Sequence, residues 1–494
     1  MRNNGVLAAI SSLPSPHGIG DLGPGAFSFV DYLSEAGVNI WQILPFNRLG
    51  YGNSPYQTLS SIAGDEIFLS LDILAEDGYL KPADLTPFAP DATRVDYEAV
   101  RRFKAPYFKR AFSEFQTNFS RYEEAYTTFL QENPWTQDYS VFLALHGAND
   151  PGCWTNWPPQ HRDWPRNRDP ALLSAYREEI AFQQFLQFLF YGQWVRLKAY
   201  ANAKKIEIMG DIPFYVGLDS VDVWTNRQIF LLDEHGKPTH VAGVPPDYFE
   251  PTGQRWGNPL YDWEALEREE FAFWIQRLRL NQQVFDSIRI DHFRAFDTYW
   301  KIPAAEETAI VGTWEEAPGY AFFNRLFAVL PDLKLVAEDL GDMRPEVFTL
   351  RDHYQFTGML IIQFLIDRGR LPRKKSIPEN KIVYTGTHDN QTTLGWFLHL
   401  PEKSKKRLKR GLNIRGYPGE ISDQLVQYAL NTRARTAVIP LWDILGLDDS
   451  ARINTPGTVG SPNWEWKLAD YRLLERKIKP FAQWLVKYGR VSKQ

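Results

Sequence analysis

The residues best equipped for chemistry lie in the stretch Ser287-Ile288-Arg289-Ile290-Asp291-His292-Phe293-Arg294. Ile288 and Ile290 alternate with Arg289 and Asp291, the period-two pattern of a strand, so the guanidinium and the carboxylate project from one face. His292 and Phe293 follow where the strand ends. In a barrel of parallel strands, a charged pair at a strand's C-terminal end occupies the position of active-site chemistry. The competing reading is a buried Arg–Asp pair that closes a strand.

Acids recur at the ends of other apolar runs. Asp211 closes Ile206–Asp211, Glu338 and Asp339 follow Leu335-Val336-Ala337, and His388-Asp389-Asn390 follows Tyr384-Thr385-Gly386-Thr387. A lone loop Asp is ordinarily a helix cap. Four strand-end acids accompanied by Arg289, His292 and His388 favour chemistry, because a barrel brings all its strand C-termini to one mouth. Paired carboxylates are the equipment of glycosidic bond cleavage, one as nucleophile or base and the other as proton donor. An oxygen-ligand Mg²⁺ site is the alternative use of such acids. The glycines of Gly18–Gly25 lack phosphate-loop spacing, and no His-Glu-x-x-His occurs, so neither a cofactor nor a bound metal is expected.

The elements that must position these groups are legible as apolar runs. Val6–Ile10 and Val38–Leu44 flank a helical pattern at Ala26–Ala36, a βαβ opening that implies a parallel sheet. From about 69 to 200 the periodicity is mostly helical, with proline-rich joints; Tyr107–Phe119, Tyr122–Gln131 and Ala171–Ala201 are examples. Strand rhythm returns at Ile206–Pro213, then at the central stretch, Lys334–Asp339, Met359–Leu365, Lys381–Thr385 and Thr436–Pro440. Helices are expected at Glu264–Asn281 and between the later strands, and Asn463–Tyr488 reads as helix. Eight strands separated by helices predict a (β/α)8 TIM barrel with a large, mostly helical insertion and no C-terminal β-sandwich. We therefore expect one catalytic barrel over 1–494, with a helical insertion at about 65–203. A further insertion at about 214–284 carries an irregular loop at 241–259.

Composition narrows the class. Lys and Arg number 55 against 60 Asp and Glu, a formal charge of -5 that disfavours a nucleic-acid partner. Aromatic residues make up 15% of the chain, with 17 Trp, which suits both flat sugar-binding surfaces and a large core. Cys153 is the one cysteine, so no internal disulfide forms and a reducing compartment is expected. The apolar run Val6–Ile10 is too short for a signal-peptide core or a membrane span, and the expectation is a cytoplasmic protein, or the mature form of an imported one, without membrane contact.

Longer motifs make the reading specific. They include Ser12-Leu13-Pro14-Ser15-Pro16-His17-Gly18-Ile19-Gly20, Trp41-Gln42-Ile43-Leu44-Pro45, Ser54-Pro55-Tyr56-Gln57, Gly210-Asp211-Ile212-Pro213 and Pro245-Pro246-Asp247-Tyr248-Phe249. Further along are Gly253-Gln254-Arg255-Trp256-Gly257-Asn258-Pro259, the Arg289–Arg294 stretch, Ala337-Glu338-Asp339-Leu340-Gly341 and Gly386-Thr387-His388-Asp389-Asn390. Together they resemble the 4-α-glucanotransferase (amylomaltase, or disproportionating enzyme) family of the α-amylase clan, nearly end to end. The resemblance implies that Asp291 is the nucleophile, kept ionised by Arg289, that Glu338 is the general acid/base, and that Asp389 is the third acid. It implies that His292 and His388 bond the sugar at the cleaved linkage and that Tyr56 and Asp211 line that subsite. It places Phe249, Gln254 and Trp256 on a cover over the acceptor side, with Ser54 in the binding region and Tyr51 at a second glucan site. Asn454 and Asn463 read either as glucan contacts or as turn residues.

The activity implied is retaining transfer of an α-1,4-glucan segment from a maltodextrin to the 4-hydroxyl of glucose or another maltodextrin. An α-1,4-glucan hydrolase and a non-catalytic glucan-binding protein are the alternatives. The implied partners are α-1,4-glucans and glucose, in a monomer or homodimer.

Overall fold

The computed structural model describes residues 2–246, 250–414, 416 and 420–491. In chain order its strands are β1 (Asn3–Leu7), β2 (Ile40–Gln42), β3 (Glu207–Ile212), β4 (His240–Val244), β5 (Gln254–Pro259) and β6 (Ser287–Ile290). They continue as β7 (Thr298–Pro303), β8 (Thr313–Glu316), β9 (Leu335–Ala337), β10 (Thr357–Ile361), β11 (Lys381–Tyr384) and β12 (Thr436–Pro440). Eight of them close a barrel in the order β1-β12-β11-β10-β9-β6-β3-β2, all neighbours parallel. The barrel is the (β/α)8 architecture that the eight apolar runs predict. Such runs stand out because barrel strands are covered on one side by side chains of the interior and on the other by helices.

Between β2 and β3 the chain is helical, with Tyr97–Thr117, Phe119–Glu132, Trp135–Ala148 and Arg177–Ala203 as its main helices. Arg177–Ala203 returns the chain to β3, and its Trp194 indole donates to the Val284 carbonyl at 3.1 Å just before β6. Among the described residues no helix is long and apolar enough to cross a membrane.

Several boundaries differ from expectation. The stretch read as an irregular loop at 241–259 contains β4 and β5, which pair antiparallel with a register shift between Val241 and Gly243. With β7 and β8 they make a second sheet in the order β5-β4-β7-β8. Gly243 hides the strand alternation, yet the pairing needs it: a Cβ there would lie 2.2 Å from the Gln254 carbonyl oxygen. The helix expected over Glu264–Asn281 is two, Trp263–Arg268 and Ala272–Val284, because Phe271 between them is left-handed at φ 58°. Ala171–Ala201 is likewise divided at Tyr176. The C-terminal helix is Arg472–Lys487, not Asn463–Tyr488; Trp464 has φ 67°, and the Asp470 carboxylate accepts the Arg472 N–H at 2.9 Å. β10 stops at Ile361, and Ile362–Leu365 turns into a helix.

Candidate active site

Arg289 is the centre of the barrel mouth. Register sets it opposite Asp211 on β3, so both side chains share the inner face. Its Nη1 donates to both Asp211 oxygens at 2.7 Å, and its Nη2 meets the Asp291 carboxylate at 3.0 Å. One guanidinium therefore holds two acids, and access distinguishes them. The Asp291 side chain is 30% exposed, whereas that of Asp211 is 0% exposed and also accepts the Tyr56 hydroxyl at 2.9 Å. Of the two, only Asp291 is open to the cleft; Asp211 is enclosed by Arg289 and Tyr56. Burial opposes the Arg289 charge, but the carboxylates outweigh it and hold the pKa well above the ordinary value. Burial raises the Asp211 carboxyl even against Arg289.

Glu338 stands beside Asp291 because β9 pairs with β6 at Ile290 and Ala337, and the Glu338 N–H donates to the Ile290 carbonyl at 3.1 Å. Its two oxygens accept the N–H groups of His292 at 2.8 Å and Leu340 at 3.0 Å. Burial pushes the Glu338 carboxyl up to about 8; Arg289 opposes the rise and Asp291 adds to it. At neutral pH it is a protonated acid beside the Asp291 side chain. Asp339, its neighbour, faces the other side of the strand. There it accepts the Met359 N–H at 2.7 Å and pairs with Arg351 and Lys381, a structural role.

The third acid enters from the loop after β11. The buried His388 lies with Nε2 3.3 Å from the Asp389 carboxylate and 3.0 Å from the Tyr56 hydroxyl, and its ring stacks on Tyr56 at 5.3 Å. Asn454 donates to the other Asp389 oxygen at 2.7 Å. Burial alone would raise Asp389, but His388 and Asn454 prevail and hold it well below the carboxylate range. Burial alone would lower His388, and Asp389 more than reverses that.

On the opposite side, His292 adopts φ 50°, which aims its backbone N–H at Glu338, and its ring meets Trp256 edge-on at 4.9 Å. Burial lowers its pKa to about 4, so it is neutral. Among the described residues, His292 Nε2 and His388 Nδ1 are buried with no hydrogen-bond partner, which leaves each ring a polar atom for a bound hydroxyl. Gln254 and Trp256 lie on β5 and bond each other at 3.2 Å through side chains. Ser54 accepts the Tyr56 N–H at 3.3 Å and shapes its turn. Tyr51 is 78% exposed on the rim. Asn463 braces the turn at Thr455–Thr458. Phe249 lies outside the described residues. Among the described residues, no group of three or more His, Cys, Asp or Glu is placed to hold a metal ion.

The family model described as 4-alpha-glucanotransferase matches residues 8–473. The chain belongs to the 4-alpha-glucanotransferase family. Relatives named 4-alpha-glucanotransferase include those of Synechocystis, 44% identical over 479 residues, and Thermus thermophilus, 44% identical over 475 residues; in each case 94% of both chains is covered. Among solved structures, the amylomaltase of Streptococcus agalactiae in complex with acarbose superposes with a TM-score of 0.94 at 34% identity, covering 100% of both chains.

Two residues of this 4-alpha-glucanotransferase family member escape sequence reasoning. Trp464 packs 5.8 Å from Tyr56 and 5.9 Å from His388, backing both rings. Asp443, fully buried after β12, accepts Thr385 Oγ1 at 2.5 Å and the Thr393 N–H and Oγ1, both at 2.7 Å. Thr385 and Thr393 bracket the loop that carries His388 and Asp389, so Asp443 is a positioning residue for the third acid. Asp443→Asn should lower kcat on maltotriose by about tenfold, because small displacements of oriented groups are costly, and a lost buried bond should take about 1–3 kcal/mol of stability. An unchanged kcat together with a lowered Tm would show that this clamp serves stability alone.

Proposed function

We propose that the chain is a retaining 4-α-glucanotransferase that works through a covalent glycosyl-enzyme on Asp291. The observation that carries this is the partly exposed Asp291 held beside protonated Glu338 by one arginine that also grips the buried Asp211. In the first half-reaction an Asp291 oxygen bonds to the anomeric carbon while the bond to the leaving 4-oxygen breaks, and Glu338 gives that oxygen its proton. In the second, a sugar 4-hydroxyl attacks the same carbon, its proton returns to Glu338, and Asp291 is released. Asp389, kept ionised, binds sugar hydroxyls and favours a distorted ring. His292, His388 and Tyr56 bond or stack on the sugar at the cleaved linkage.

Transfer needs an acceptor that outcompetes water. Orientation supplies effective concentrations far above the ~55 M of water when the acceptor is bound next to the intermediate. Trp256 against His292, with Gln254 bonded to Trp256, furnishes an apolar and hydrogen-bonding wall for that acceptor. The chain works as one catalytic barrel, with the insertions at about 65–203 and about 214–284 shaping its rim. The single Cys153 fits a reducing compartment, and we place the enzyme in the cytoplasm.

Incubation with maltotriose alone tests the reading. The expected products are glucose together with longer maltodextrins, with little net gain in reducing ends. Glucose and maltose only, with reducing ends rising at each turnover, would establish a hydrolase.

A further inference from the structure

A second surface of this chain is rich in cations. The connection from β10 to β11 packs on the helix Glu402–Gly411: Arg407 donates to the Arg368 carbonyl at 3.1 Å, and a Cβ on Gly369 would fall 2.3 Å from the Ser404 carbonyl oxygen. Residues 366–376 and 402–411 together hold eleven Lys and Arg against two acids, in a chain whose formal total is -5. Those acids, Asp367 and Glu402, pair with Arg368 at 3.9 Å and Lys405 at 2.9 Å. Arg370, Arg373, Lys375, Lys403, Lys406 and Arg410 are exposed, and the described residues give none of them an ion pair.

Helix stability accounts for only part of this pattern: Glu402 in the first turn and Lys409 and Arg410 in the last suit the dipole, and the other cations do not. Lys403 and Arg407, Lys405 and Lys409, and Lys406 and Arg410 are like-charge pairs four residues apart, an unfavourable spacing. Lys403 and Lys405 also occupy the helix's first turn, where the dipole disfavours cations. The surface joins the mouth of the barrel. Gln363, in the short helix that follows β10, donates to the Gln391 carbonyl at 3.0 Å, two residues past Asp389, and Arg368 follows Gln363 by five residues.

We propose that this basic surface binds phosphate-bearing α-glucan and holds a polymeric donor at the barrel mouth; the proposal rests on the glucan-transfer reading. A neutral glucan offers these cations hydrogen-bond acceptors but no opposing charge. Phosphate monoesters on sugar hydroxyls give the polymer charge without altering its α-1,4 backbone, and arginines grip phosphate oxygens in pairs. The acidic balance of the remaining chain disfavours a long duplex, which would extend beyond the patch.

The test compares an amylopectin carrying phosphate monoesters with the same polymer after phosphatase treatment, using affinity electrophoresis of the full chain. At about 50 mM salt the phosphorylated polymer should bind on the order of tenfold tighter, and the difference should vanish near about 500 mM. A variant combining Arg370→Gln, Arg373→Gln, Lys406→Gln and Arg410→Gln should lose the difference while disproportionating maltotriose at the wild-type rate. Equal binding of both polymers overturns the proposal, as does tighter retention of a DNA duplex or of phosphatidylserine vesicles than of the phosphorylated glucan. Absence of maltotriose disproportionation in the wild type would strike the transfer reading instead, whichever way the binding falls.

Discussion

Asp291→Asn should fold like the wild type and lose at least about three orders of magnitude in turnover, because no other group can form the covalent bond. The expectation of normal folding comes from access and pairing. Asp291 is the partly exposed member of the two acids on Arg289, and Arg289 keeps its double contact with Asp211 when the charge at 291 is removed. Glucose release from maltotriose measures the loss, and thermal melting checks the fold. Turnover near the wild-type rate by the folded variant would remove Asp291 from the chemistry. Asp211→Asn is the instructive contrast. It weakens a fully buried contact to Arg289, so it should lower both stability and rate.

Glu338→Gln should cost on the order of 10²–10⁴ in kcat/KM on maltotriose, the range for loss of a positioned general acid. The pH profile makes this specific. Glu338 must carry its proton to serve the leaving group, and burial puts its pKa at about 8. As pH rises through that value the free enzyme loses the proton, so kcat/KM should fall along a basic limb centred near pH 8. The Gln variant has no such proton to lose, and its residual activity should lack that limb. The same limb in wild type and variant would assign the titration to another group. A glycosyl fluoride donor, whose leaving group needs no proton, should recover most of the first step in the variant.

The barrel was legible because its strands carry nearly continuous apolar runs that end in acids, and buried parallel strands have little choice of composition. Alternation made Arg289 and Asp291 neighbours on one face, and it also explains why Glu338 and Asp339, adjacent in sequence, do unrelated work. The antiparallel sheet that carries Gln254 and Trp256 was not legible. Its strands are short, and the glycine at 243 that permits the pairing also erases the pattern that would reveal it. The family resemblance ranked Asp291 above Asp211, but periodicity alone could not, since access to the cleft depends on Tyr56, which lies 155 residues from Asp211 and covers it. Asp443 and Trp464 act only through contacts made across the folded barrel, and their types signal core as readily as site.

The covalent intermediate is the central claim, and it can be observed directly. Glu338→Gln mixed with α-maltotriosyl fluoride should form the glycosyl-enzyme and release it slowly, since the base for the second step is gone. Quenching, protease digestion and mass spectrometry should find the maltotriosyl group on the peptide containing Asp291, and Asp291→Asn in the same background should abolish the adduct. A maltotriosyl group on any other residue, or steady turnover to a β-anomeric product with no adduct, would contradict the account.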